Sequence, residues 1–206
     1  LASATSAFLQ IHTMAYDTGT GLYSQTNWVT NAGFGFKISK LVYEDGATSY
    51  LYYLEESSAR RLRRLDITTP LTATNDINAG APRYLLSSPT IDHNFANGMQ
   101  LRQGNMMIWG QGSTNMQFVD KTTMALTTTL TGTVKASYFI LDNLDSALLF
   151  AVDDASPYGL YRIPIPASGT TYTQTHSVTS AGKIYSNILN FGPYQYIGLV
   201  RSDLTP

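Results

Sequence analysis

Apolar and polar residues alternate along most of this chain, and the alternation is broken by short clusters of Gly, Asp, Asn, Ser and Pro. A period of two places apolar side chains on one face of a β-strand, and the clusters supply turns. Four apolar runs each lead into a polar turn: Phe8–Met14, Tyr50–Leu54, Met106–Trp109 and Ala147–Val152. Second runs then close predicted hairpins: Leu62–Ile67, Met116–Val119 and Leu160–Ile165.

The hairpins repeat one another. Ser49–Ile67 aligns with Ala147–Ile165 over nineteen residues without a gap, and Ala7–Tyr23 aligns with Asp145–Tyr161 in the same way. Asn105–Asp120 aligns with the same segments if its turn is two residues shorter. With Leu22, Leu62, Met116 and Leu160 taken as equivalent, the steps are 40, 54 and 44 residues. Each copy is therefore predicted to be one supersecondary unit of a repeat protein.

Each hairpin has a further strand candidate on either side. Those before it are Phe36–Tyr43, Met99–Leu101 and Ala136–Leu141. Those after it are Arg83–Leu86, Ala125–Leu130 and Thr171–Val178. Glu55–Leu65 could also be drawn as a helix, but its repeat partner contains Pro157, Gly159 and Pro164, which a helix interior does not accept. We therefore predict four antiparallel strands in each unit.

This unit resembles the blade of a β-propeller, which has four short antiparallel strands in about 40–50 residues. The resemblance implies an all-β propeller of about four blades, by itself or as part of a larger propeller. The Gly-His…Trp-Asp signature and the double glycine of kelch blades are missing, so no subfamily is assigned. We expect a partial blade at 1–31, blades at about 32–90, 91–132 and 133–180, and a partial blade at 181–206. The ends would either complete one blade together or continue into a longer array.

The composition limits the possible partners and compartments. The 206 residues are enough for one domain, with 43% apolar and only 13% charged residues and a net charge of −1. This charge gives no general attraction to nucleic acid, and no apolar stretch is long enough for membrane insertion. The Thr, Ser and Tyr content is typical of extracellular or surface-associated β proteins, which is the predicted location. With no cysteine, thiolate nucleophiles, thiolate metal sites and disulfides are excluded.

Two pairs of acids fall at equivalent turns, Glu55-Glu56 and Asp153-Asp154. Oxygen ligands of this kind could bind a cation or a polar substrate. Acids are also good turn residues, and the third copy has Gln111-Gly112 at this place, which would interrupt a ring of carboxylates. We favour the turn role, and we predict no metal and no cofactor.

Other candidate chemistry is scattered. His12, His93 and His176 lack metal-ligand spacing, and no nucleophile-elbow signature accompanies them, so no catalytic residue is assigned. The arginines of Arg60–Arg64 could contact a polyanion, but local pairing with acids such as Glu44 and Asp66 is the favoured interpretation.

Aromatic residues beside turns are the remaining candidates, because exposed rings can stack on sugars. Trp28, Tyr158 and Tyr194 stand beside Asn or Gly-Pro turns. The predicted ligand or partner contacts are Trp28, Glu55, Glu56, Asp153, Asp154, Tyr158 and Tyr194.

Three functions fit these observations. The first hypothesis is a non-enzymatic structural or protein-interaction module of a larger extracellular or surface assembly, of the filament or virion type. Its partners would be other protein subunits, the rest of a longer chain, or glycans. The alternative is a lectin-like, carbohydrate-binding propeller. A second alternative is a fragment of a propeller hydrolase, in which acids such as Asp142, Asp153 or Glu55 converge with carboxyls roughly 5–10 Å apart.

Overall fold

The structure is a computed structural model, and its described part contains β-strands, turns and no helix. The described residues are 2–5, 8–31, 37–56, 61–68, 84–87, 96–110, 113–142, 145, 148–153, 158–174, 176–180, 184–191 and 194–201. These ranges accordingly include no helical membrane span. The chain divides into two compact units, Leu1–Ile91 and Asp92–Pro206, which are called unit 1 and unit 2 below.

Unit 1 contains two antiparallel sheets with their strands in chain order. The three-stranded sheet consists of β1 (Ala2–Thr5), β2 (Phe8–Asp17) and β3 (Leu22–Asn31). The four-stranded sheet consists of β4 (Lys37–Glu44), β5 (Tyr50–Glu56), β6 (Arg61–Asp66) and β7 (Tyr84–Ser87). The β6 segment is thus a strand and not a helix, as its repeat partner indicated.

Unit 2 contains two four-stranded sheets and one pair of strands, all antiparallel and in chain order. The first sheet, called sheet C, consists of β8 (Ala96–Arg102), β9 (Asn105–Gly110), β10 (Asn115–Asp120) and β11 (Leu126–Thr131). The second, sheet D, consists of β12 (Ala136–Leu141), β13 (Leu148–Asp153), β14 (Tyr158–Pro164) and β15 (His176–Ser180). The pair consists of β16 (Ile184–Phe191) and β17 (Tyr194–Arg201). The prediction of an all-β chain built from four-stranded antiparallel sheets is confirmed.

The strand register matches the gap-free alignment of the second and fourth copies. Tyr52 pairs with Arg64 in β5 and β6, and the aligned residues Phe150 and Arg162 pair in β13 and β14. The register of these hairpins is therefore set locally, because the alternation of apolar and polar residues and the length of the turn together decide which residues face each other.

The first copy has a different register from the one that the gap-free alignment implied. That alignment would place Met14 opposite Leu22, but Met14 pairs with Gln25 and Leu22 pairs with Asp17. The reason is a tighter turn. Asp17 accepts hydrogen bonds from Gly19 N (2.8 Å) and Thr20 Oγ1 (2.9 Å), and its carbonyl accepts one from Gly21 N (2.8 Å). Asp17 thereby closes the hairpin directly after β2.

The core of unit 2 forms where apolar faces of sheets C and D supply one cluster of buried side chains. Trp109 is fully buried in it, with its ring 5.8 Å from that of Phe139 and 5.5 Å from that of Tyr172. Its indole Nε1 donates to Ser113 O at 2.8 Å, which satisfies the one polar atom of this side chain. Alternation along β9 puts Met107 on the same face as Trp109.

Gln100 joins the two sheets through their edge strands. Its side-chain Oε1 accepts from Leu141 N at 2.8 Å, and its Nε2 donates to Phe139 O at 3.5 Å. β8 and β12 are edge strands of their sheets. The side-chain amide of Gln100 therefore satisfies backbone hydrogen-bonding groups of β12 that a neighbouring strand would otherwise satisfy.

Gly98 tests this packing, because a Cβ at Gly98 would lie 2.3 Å from Cε1 of Phe139. We expect Gly98→Ala to lower the free energy of unfolding by about 1–3 kcal/mol through overpacking, measured by urea-induced unfolding. Gly46→Ala is the control, since the nearest atom to its new Cβ would be Thr48 O at 3.5 Å. Equal stability of the two variants would show that the sheets do not pack as described.

Candidate ligand-binding groove

A groove of about 220 Å³ lies in unit 2 between sheet C and the segment that follows β14. Its apolar floor comes from Phe118 and Leu130, which point inward from neighbouring strands β10 and β11. The remaining lining residues are Arg102, Asn105, Thr127, Thr128, Ile165, Pro166, Ala167, Ser168 and Gly169. None of these lining residues is acidic, so the groove is suited to an anion.

Arg102 supplies the positive charge of the groove. It ends β8, and a tight turn follows in which Gln103 and Gly104 have φ values of 43° and 83°. The turn returns the chain at Asn105, which pairs with Arg102. The guanidinium carbon lies 5.9 Å from the centre of the Phe118 ring, so the cation rests over the apolar floor.

The surroundings of Arg102 act on its pKa in opposite directions. Burial lowers the pKa of the guanidinium, and the negative charge of Asp145 raises it. A guanidinium remains protonated despite such a shift, because its ordinary pKa lies far above neutral pH. A bound anion would therefore meet a partly desolvated positive charge that already interacts with the carboxylate of Asp145.

Neutral polar groups line the rim beside this charge. The hydroxyl of Thr127 lies 3.2 Å from Asn105 Oδ1 and 3.0 Å from Phe118 O. Ser168 lines the opposite side of the groove and is exposed. These hydroxyl and amide groups could bind the hydroxyls of a polar ligand.

The wall opposite sheet C is the segment Ile165–Gln174, called the strap below. Ile165 is buried in the core of unit 2, and Thr131 N donates to Thr170 O at 2.8 Å. Tyr172 N donates to Thr131 O at 3.1 Å, so the strap is held against the outer edge of sheet C, where Thr171 forms a parallel bridge with Thr131. The strap therefore covers an edge that would otherwise expose unpaired backbone groups.

Tyr172 anchors the strap in the core. Its hydroxyl lies 3.0 Å from both Thr114 O and Val134 O. A Cβ at Gly132 would lie 2.3 Å from the Tyr172 ring, so the ring occupies the space that glycine leaves. This anchor fixes the position of the groove wall.

Several described acids act within turns. Asp45 accepts from Tyr43 Oη (2.9 Å) and Ser49 Oγ (3.1 Å), and Asp120 accepts from Thr123 N (2.6 Å). Asp142 accepts from the backbone N of Asp145 at 3.2 Å. Among the described residues, no group of three or more histidines and acids is placed to hold a metal ion.

The arginines of β6 lie among aromatic and acidic groups of unit 1. The guanidinium carbon of Arg64 lies 4.8 Å from the centre of the Tyr50 ring, and Tyr52 Oη donates to Glu44 Oε2 at 2.9 Å. Burial, followed by the hydrogen bond to Glu44, raises the pKa of Tyr52 far above its usual range. Arg64 is itself mostly buried, which favours a packing role for it.

The predicted ligand contacts are divided between the units. In unit 1, the backbone of Trp28 pairs with His12, Glu55 with Arg61, and Glu56 with Lys37. In unit 2, Asp153 pairs with Ala136, Tyr158 with Ser180, and Tyr194 with Phe191. Asp153 ends β13 and Tyr158 begins β14. For these residues the structure describes backbone positions alone, and Asp154 lies outside the described residues, so their ligand roles stay predictions.

Sequence reasoning missed Arg102 and the strap. The dipeptide Gln103-Gly104 is recognisable as a turn in the sequence. Nothing near Arg102 in the sequence, however, indicates that Ile165–Gly169 faces it. Pairing of Thr131 with Thr171 is likewise between distant residues and follows no alternation pattern.

No protein-family model matches the sequence, and neither does any curated protein. Several solved structures resemble it in fold. A candidate 6-phosphogluconolactonase from Bacteroides fragilis is 11% identical with a TM-score of 0.57, over 98% of this chain and 76% of that one. A chain of the mitotic checkpoint complex is 12% identical with a TM-score of 0.56, over 98% and 58%. Hydrazine synthase of Kuenenia stuttgartiensis is 14% identical with a TM-score of 0.55, over 89% and 48%.

These similarities settle the fold class. The lactonase and the checkpoint-complex chain have β-propeller folds, and this chain is an all-β protein with the same fold, as the repeat predicted. The first functional hypothesis, a non-enzymatic structural or interaction module, is contradicted by the similarity to the candidate lactonase.

Tyr172→Phe tests the anchor of the strap. Loss of the hydroxyl leaves the buried Val134 carbonyl without this donor, so we expect the free energy of unfolding to fall by about 1–3 kcal/mol. Urea-induced unfolding measures this, and hydrogen exchange of the Thr131 and Tyr172 amides should become faster. Tyr43→Phe is the matched control, because Tyr43 is exposed. Unchanged exchange in Tyr172→Phe would contradict the anchoring role.

The hydrogen bonds of the turn residues Asp17 and Asp45 should make the stability of the fold depend on pH. The hydrogen bond from Gly19 N lowers the pKa of Asp17, and the one from Tyr43 lowers that of Asp45, both from an ordinary value of 3.8. Since the folded pKa lies below the unfolded one, the stabilisation is complete above the unfolded value and is lost as pH falls through the folded value. Titration of the carboxyl carbons by NMR checks this. Midpoints at or above 3.8 would contradict the turn geometry.

Proposed function

We propose that this chain is a propeller-fold hydrolase that opens the lactone ring of an anionic sugar derivative, with 6-phosphogluconolactone as the test substrate. The observation that carries the proposal is the Arg102 groove, which offers a positive charge without an acidic lining residue. The similarity to a candidate 6-phosphogluconolactonase, over 98% of this chain, supports the reaction class.

The groove matches such a substrate in charge and size. A guanidinium presents a planar fork of N–H donors that binds phosphate or carboxylate in a bidentate way. The volume of about 220 Å³ lies below the roughly 300–1,000 Å³ of pockets for drug-sized ligands, so one sugar ring fits better than a polymer. The Thr127 and Ser168 hydroxyls would bind the sugar hydroxyls.

The chemistry requires water and one base. Water adds to the acyl carbon, its proton passes to the base, and the tetrahedral oxyanion collapses as the bond to the ring oxygen breaks. The ring oxygen takes a proton and becomes a hydroxyl, which leaves a hydroxy acid. Asp145 would be the base in this proposal: its carboxylate acts on Arg102 but does not itself line the groove, so the attacking water would have to lie between Asp145 and Arg102.

The variant Arg102→Gln tests whether Arg102 recognises the anionic group of the substrate, as distinct from a loss of activity through misfolding. We expect kcat/KM for 6-phosphogluconolactone to fall about 10- to 100-fold, the loss of a charged hydrogen bond, with a smaller effect on uncharged gluconolactone. Initial rates of acid release in a pH-stat measure this, after subtraction of spontaneous hydrolysis. Arg162→Gln is the matched control, since Arg162 is an exposed arginine of unit 2 outside the groove lining.

Two results would overturn the proposal. One is a rate of lactone opening no higher with the protein than without it, at substrate concentrations up to several millimolar. The other is an equal response of Arg102→Gln and Arg162→Gln, which would place the anion elsewhere than in the groove.

A further inference from the structure

The tip of the β2–β3 hairpin exposes large apolar side chains. Met14 is 38% exposed, Tyr16 54%, Leu22 67% and Tyr23 69%. These are four of the six exposed large hydrophobic residues in the part of the chain that the structure describes. Concentration of such side chains at one place indicates a binding surface, whereas scattered ones do not.

Two tyrosines form a prearranged aromatic surface at this tip. Tyr16 and Tyr23 pair across the strands, and their ring centres are 4.9 Å apart with planes tilted by 46°. Met14 lies two residues before Tyr16 on the same strand and therefore on the same face. Leu22 pairs with Asp17 and so belongs to the opposite face of the hairpin.

The turn holds this surface in place before any ligand arrives. Asp17 accepts hydrogen bonds from Gly19 N and Thr20 Oγ1, and Gly21 N bonds to its carbonyl. Gly21 takes the positive φ of 69° that the turn requires. A preformed site loses less conformational entropy on binding, and tyrosine offers a large contact area with few rotatable bonds.

The charge of the hairpin selects the chemistry of the ligand. Residues 8–31 contain no Lys or Arg and a single acid, Asp17, which is used within the turn. A polyanion, an anionic membrane or an acidic protein would find no opposite charge here. Thr18 and Thr20 of the turn provide neutral hydroxyls near the rings, and both are exposed.

We propose that the hairpin tip is a binding site for neutral carbohydrate, with a pyranose stacked on the Tyr16–Tyr23 surface and bounded by Met14. A pyranose presents an apolar C–H face to the rings and hydroxyls to the neighbouring threonines of the turn. The patch is small for a second copy of the chain, since stable protein interfaces bury about 800 Å² on each partner. The site lies in unit 1 and is separate from the lactone-opening function proposed for unit 2.

Titration with neutral tetrasaccharides tests this site. Cellotetraose, maltotetraose and mannotetraose are added to the full chain while tyrosine fluorescence and the ring NMR signals of Tyr16 and Tyr23 are followed. We expect saturable binding of at least one of them. The double variant Tyr16→Ala/Tyr23→Ala should weaken it about tenfold or more, because stacking on an aromatic ring is worth that order of affinity.

Tyr43→Ala is the control, since Tyr43 is an equally exposed tyrosine of unit 1 outside the hairpin. It should bind with unchanged affinity, and circular dichroism should show that all variants are folded. Lactone opening should be unaffected by the double variant, so failure of one proposal is distinct from failure of the other.

The proposal is overturned by any of three results. They are the absence of binding to all three tetrasaccharides, an equal loss in Tyr43→Ala, and self-association of the wild type that the double variant abolishes in sedimentation. The last result would assign the tip to contact between copies of the chain.

Discussion

The burial of Trp109 between sheets C and D is the interaction on which the rest of unit 2 depends. Its ring contacts Phe139 of sheet D on one side and Tyr172 of the strap on another. Gly98 and Gly132 leave the space that these two neighbouring rings fill, so the packing allows no additional side chain at either place. The groove wall is positioned through Tyr172, and the groove is therefore a consequence of how this core packs.

Edge strands are the second constraint, because every sheet of four strands leaves two of them unpaired on one side. Unit 2 covers two of these edges with different devices. The Gln100 amide bonds to the backbone of β12, and the strap adds a short parallel bridge to β11. The strap thus has two roles, since the chain that covers the edge also forms one side of the groove.

The enzymatic proposal does not need the kind of catalytic motif whose absence had favoured the structural hypothesis. The structural hypothesis relied in part on the lack of a catalytic motif. Opening of a lactone requires less than such a motif, because the ester is already reactive and needs a positioned cation, a water and a base. In that proposal Arg102 supplies the cation and Asp145 the base, and their spacing in the sequence matches no known motif.

The sequence by itself determined the central hairpins and the repeated four-stranded sheet, but not the strands β1, β16 and β17, and it placed the last strand of sheet D several residues too early. It also determined the register of the hairpins around Tyr52 and Phe150, because alternation and turn residues act between neighbours in the chain. It failed for the first hairpin, where side-chain hydrogen bonds to Asp17 tighten the turn and change the partners of Met14 and Leu22. Only the tertiary structure decided that Arg102 faces the strap and that Tyr172 fills the space at Gly132. Those contacts join distant segments through shape and hydrogen bonding, which leave no period in the sequence.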